Sequence, residues 1–152
     1  MFVADKRFGF GVHGNVFACV RDTSSIQNAL KVHERTEPYL IERDVYLRLR
    51  DHGIDQIQGH NVPQLIDYDD DLLVIEMSVV VRPFLLDFAG AYLDHAPDYD
   101  EEILDEWRRE KQEQFEENWP KAALILAELR SFGIYVADVN PGNIGFAEKE
   151  RK

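Results

Sequence analysis

A chain of 152 residues, 45% hydrophobic and 30% charged, buries one good core and falls outside the disordered and fibrous classes. Its formal charge of -12 argues against a nucleic-acid backbone or an anionic membrane as main partner, because phosphate binding needs clustered Lys and Arg. Cys19 is the one cysteine, so no intramolecular disulfide and no structural zinc spacing arises. With no apolar stretch of signal-peptide or membrane-span length, a reducing, cytoplasmic location is expected.

From Phe2 to His33, short runs of Val, Phe and Ile are punctuated by Gly9, Gly11, Gly14 and the polar stretch Asp22 to Ser25, the pattern of three strands joined by hairpins. Pro38 can begin a helix, Tyr39 to Arg50 carries apolar residues at helical spacing, and Gly53 stops it. Gln64 to Tyr68 and Leu72 to Met77 flank Asp69-Asp70-Asp71, as two strands around an acidic turn would. Five strands and one helix are expected by Ser78. Beyond it the composition turns helical: an apolar segment from Pro83 to Leu93, an acidic helix from Asp100 to Glu117, and a helix from Pro120 to Phe132 that is apolar nearly all round.

Three motifs carry chemistry. Gly9-Phe10-Gly11-Val12-His13-Gly14-Asn15-Val16 fits G-x-G-x-x-G-x-V; glycines at this spacing also serve ordinary turns. A dinucleotide fold needs a helix after the third glycine, whereas Asn15 to Val20 reads as another strand. In Asn28-Ala29-Leu30-Lys31-Val32, strand alternation puts Ala29 and Lys31 on one face, although a solvated strand lysine is the plainer reading. Glu42 falls on the apolar stripe of the first helix, where an unpaired charge is costly, and a Lys31 to Glu42 pair would meet that need. Finally, Asp138-Val139-Asn140-Pro141-Gly142-Asn143 makes a good turn by itself, but an Asp followed five positions later by Asn also resembles the catalytic-loop spacing of kinases, which implies a proton-handling acid and a magnesium ligand.

In their order these pieces resemble the protein-kinase-like superfamily, which includes Ser/Thr and Tyr kinases and the kinases for aminoglycosides and choline. The resemblance runs from about Phe2 to Phe146. It implies an α+β protein-kinase-like fold: a five-stranded antiparallel sheet with one helix in residues 1–78, joined to a truncated, mainly helical part in 79–152. Gly9, Gly11 and Gly14 would cover the phosphates of ATP, and Val16 and Ala29 would sandwich the adenine. Lys31 would contact phosphates, anchored by Glu42. Ile75 would be the gatekeeper, and Glu76, Met77 and Ser78 the hinge whose backbone reads the adenine edge. Asp138 would be the catalytic-loop acid and Asn143 a magnesium ligand.

The departures are as informative. Val136-Ala137 replaces the family's His-Arg, and Asn140 stands where Ser/Thr kinases have lysine, which argues against control by activation-loop phosphorylation. The family's Asp-Phe-Gly, due about a dozen residues after the asparagine, does not fit within the nine residues left after Asn143. With that acid missing, magnesium binding is doubtful. The expected function is therefore a nucleotide-binding regulatory or scaffolding module with weak or no phosphotransfer; the alternative is an active phosphotransferase for a small-molecule hydroxyl. A protein partner is expected, a homodimer slightly ahead of a monomer, because Leu124, Ile125, Leu126 and Leu129 need cover from the acidic helix or from a second copy.

Overall fold

The computed structural model describes the backbone of residues 2–11, 14–21 and 27–147, and the side chains of 16–19 and 27–147. The architecture is α+β with antiparallel pairing dominant. Strands β1 (Phe2–Gly11), β2 (Gly14–Arg21) and β3 (Gln27–Val32) form successive hairpins, and β6 (Leu65–Asp69) and β7 (Val74–Ser78) complete a five-stranded sheet in the order β1-β2-β3-β7-β6. The turn between β6 and β7 is set by Asp69, whose Oδ1 accepts from the backbone N–H of Asp71 at 2.9 Å and of Leu72 at 3.0 Å.

Register decides which side chains share a face. Gly9 lies opposite Val16, Val16 opposite Lys31, and Lys31 opposite Ile75, so these four positions form one row across the sheet. The next row places Ala18, Ala29 and Met77 together. Helix α1 (Thr36–Asp51) packs on this face through Tyr39, Glu42, Val45, Tyr46 and Leu49, a stripe at helical spacing. Gly53, at φ +68°, turns the chain out of the helix.

A small hairpin of β4 (Gln56–Ile57) and β5 (His60–Asn61) intervenes between α1 and β6. After Ser78 the chain departs from the helical expectation: Pro83 to Leu93 forms two short strands, β8 (Phe84–Leu85) and β9 (Ala91–Leu93), with a turn between them. Tertiary pairing overrides the composition there. Strand β8 lies between β5 and β11 (Ile144–Gly145) in a four-stranded sheet, and β9 pairs with β10 (Ile134–Val136).

Helix α2 (Glu101–Phe115) begins at Asp100, whose side chain accepts from the N–H of Ile103 at 2.9 Å. A 3-10 turn leads into α3 (Trp119–Ser131). The apolar α3 is covered within the chain: Ile125, Leu126 and Leu129 are buried, and of the four residues expected to need a neighbour Leu124 alone is exposed. Part of the cover is aromatic, Trp107 and Phe115 of α2 meeting Trp119 at 6.0 and 6.1 Å between ring centroids. The cover that Ile125, Leu126 and Leu129 need thus comes from within the chain. One cluster of buried side chains runs from Ala29 through α1 and α3 to Ile144, so residues 1–78 and those that follow share a core. Among the described residues no helix is long and apolar enough to cross a membrane.

Candidate functional site

Sheet, helix α1 and the segment after β8 meet at one buried carboxylate. Glu42 is fully buried; its Oε1 lies 2.7 Å from Lys31 Nζ and 2.8 Å from His33 Nε2, and its Oε2 accepts the backbone N–H of Phe88 at 2.7 Å. Every oxygen is thus occupied, which is the condition for keeping a charge in a core. Burial opposes ionisation of Glu42, but the Lys31 ammonium and the hydrogen bonds from His33 and Lys31 outweigh it and hold the carboxyl at about 2. Burial likewise disfavours the Lys31 ammonium, and Glu42 together with Asp87 overcomes that and raises its pKa. Lys31 is thus buried and paired with Glu42, and the plainer reading of a solvated strand lysine does not hold.

Asp87 is the residue that sequence reasoning missed. Its Oδ1 lies 3.2 Å from Lys31 Nζ and accepts the N–H of Ala89 at 3.3 Å. Its φ of +67° is unusual for a residue with a side chain and is held by the surroundings: Phe88, next in the chain, is fully buried edge-on against Tyr46 at 5.3 Å. Asp87-Phe88-Ala89-Gly90 stands before the Asp138 loop in the chain, and no spacing in the sequence ties it to Lys31.

The loop of Asp138 and Asn143 reaches the same region by two routes. The Asp138 carboxylate sits on Gly90, where an added Cβ would lie 2.1 Å from Oδ2, so that glycine is required by close approach. Strand β11, which follows Asn143, pairs antiparallel with β8, which precedes Asp87, and the N–H of Leu86 donates to the carbonyl of Asn143 at 2.8 Å. Lys31, Glu42, Asp87, Asp138 and Asn143 are therefore brought to one neighbourhood by residues 85–90.

Helix α2 supports this loop from the other side. Trp107 Nε1 donates to the carbonyl of Ala137 at 2.8 Å, and the buried Lys111 donates to the carbonyl of Val139 at 2.6 Å and to Gln114 at 3.2 Å. The acidic helix thus has a solvated outer face and an inner face of Trp107, Lys111 and Phe115.

The remaining expected positions divide. Val16, Ala29 and Ile75 share the face of Lys31, with Ile75 fully buried. Gly9, Gly11 and Gly14 lie in the β1–β2 hairpin, with Gly11 opposite Gly14, while the tip at 12–13 lies outside the described residues. Glu76, Met77 and Ser78, the expected hinge, lie within β7, paired with β3 on one side and with β6 on the other, and the N–H of Ser78 donates to the carbonyl of Gln64. Glu76 moreover lies opposite Leu30, on the face away from Lys31, and accepts from Asn28 Nδ2 at 3.0 Å. A segment outside the sheet begins only at Val79. No protein-family model matches the chain, and no curated protein matches it.

Proposed function

We propose that the chain is a nucleotide-binding phosphotransferase of the protein-kinase-like type, acting on a hydroxyl of a small molecule. The observation that carries this reading is Asp87, an acid 3.2 Å from Lys31, two residues after a strand that pairs with the one following Asn143. Weak or absent transfer was expected because no acid follows Asn143 at the proper distance. Asp87 supplies one from an earlier point in the chain and removes that reason. In this reading Lys31, fixed by Glu42, meets phosphate oxygens; Asp138 orients or accepts the proton of the acceptor hydroxyl; and the adenine edge is read from Val79 onward instead of by Glu76 to Ser78.

Among the described residues no group of three or more His, Cys, Asp or Glu is arranged to hold a metal. The Asp87 carboxylate and the Asn143 amide are oxygen donors in segments flanking the paired strands β8 and β11, and this suits magnesium, which takes one or two protein oxygens and completes its shell with water and phosphate. Bound there with a nucleotide, the ion would neutralise phosphate charge.

A binding module without transfer is the second reading, favoured by the Lys31 contact to Asp87, which a metal on that carboxylate would have to share. A thermal-shift titration with ATP, with and without magnesium, separates the two. Saturation to a hundred times the dissociation constant adds about 2.7 kcal/mol of stability. The active reading expects a magnesium-dependent shift, its metal dependence lost in Asp87→Asn, and transfer or hydrolysis of the γ-phosphate that falls at least a hundredfold in Asp138→Asn. A shift indifferent to magnesium, with no turnover, supports the binding module; no shift at all removes both.

A further inference from the structure

A cavity lies behind the Asp138 loop, between α2, α3 and β10. Its volume is about 340 Å³, within the range of small-molecule sites, and Trp107, Trp119, Leu126 and Tyr135 supply its apolar walls. Of Lys31, Glu42, Asp87 and Asp138, none lines it. Its charged lining is one-sided: Arg108 and Arg130 stand at it, and none of its described lining residues is Asp or Glu, in a chain that carries 29 acids and 17 bases. Arg108 also touches Asp105 at 3.1 Å, whereas Arg130 makes no side-chain ion pair among the described residues.

We infer that this cavity is a binding site for a small aromatic carboxylate, its ring against Trp107 and Trp119 and its anionic group on the arginines. Aromatic walls favour a flat apolar body, since edge and face contacts add to the burial of area. A guanidinium fork favours a carboxylate over a neutral amide or an amine. The tryptophan rings meet edge-on at 6.0 Å and 73°, and both line the cavity. The inference is independent of the nucleotide reading, since it uses none of that site's residues.

Both tryptophans of the chain line the cavity, so intrinsic tryptophan fluorescence reports on its occupancy. The full-length protein is titrated with 3-phenylpropanoate, with 3-phenylpropanamide and 3-phenylpropylamine as neutral and cationic counterparts. The expected result is a saturable change with the carboxylate, at an affinity about tenfold above the amide, with the amine weaker still. Arg130→Gln, an exposed position, should reduce that preference to near unity with the far-ultraviolet circular dichroism unchanged. Ala123→Phe, which fills the cavity, should abolish the response to all three. The inference is overturned by the absence of any saturable change, by equal binding of the carboxylate and the amine, or by a carboxylate preference that survives in Arg130→Gln and Arg108→Gln together.

Discussion

Glu42 combines complete burial with three hydrogen-bonding partners, and its protonation links the fold to pH. Its folded pKa of about 2 lies below the ordinary 4.5, so its contribution is fully present above 4.5 and is lost as pH falls through 2. Denaturant midpoints measured across this window should fall on acidification. Glu42→Gln should flatten that part of the profile while lowering the midpoint at neutral pH, because Lys31 then keeps only Asp87 as its acid. Gly90 sets a different constraint. In Gly90→Ala the new methyl would occupy the place of the Asp138 carboxylate, so under the proposed function turnover should drop a hundredfold or more, whereas the proposed magnesium-dependent ATP binding, which rests on other side chains, should stay within about threefold. A loss of binding equal to the loss of turnover would show that Asp138 is not separately engaged. Pairing of Lys31 with Glu42 was legible in the sequence because an acid on an apolar helix stripe demands a cation. Asp87 was not, because its role depends on a left-handed backbone and on a strand partner far along the chain.

At the scale of elements, periodicity carried most of the reading. Helices α1, α2 and α3 and the five strands of the larger sheet follow from apolar spacing, from Gly53 and Asp100 as stop and start signals, and from the acidic turn at Asp69 to Asp71. The strands of the second half were hidden because β8, β9, β10 and β11 hold only two or three residues each, too few for alternation to register. Strand β7 runs one residue beyond the expected Met77, to Ser78, since a strand's end is set by its neighbours and not by its own residues. Helix α2 gains a role from its inner face that its charge does not announce. Lys111→Met would leave the carbonyl of Val139 without its 2.6 Å donor, at a cost of about 1–3 kcal/mol. As a positioning residue, it should lower kcat more than it raises the KM for ATP, with partial recovery in Lys111→Arg. Equal loss in both would mean that the lysine serves the fold alone.

For the whole molecule, the larger sheet with α1 and the part built of α2, α3 and the short strands are joined by more than adjacency. Arg48 of α1 donates to both carboxylate oxygens of Asp94, at 2.8 and 3.0 Å, and to the carbonyl of Phe132 at 3.1 Å, beside Gly133 at φ +76°. The shared core and this strut make the two parts one unit, which agrees with what a chain of this length can bury. The pairing of Leu85 with Ile144 has a consequence for how the cleft comes into being. Closing so long a stretch of chain is slow and entropically costly, and until it closes Asp87 and Asn143 have no reason to be neighbours. Asp87 and Asn143 are thus neighbours only once this long-range pairing has formed, so a ligand site of the proposed kind would wait on the joining of the two parts.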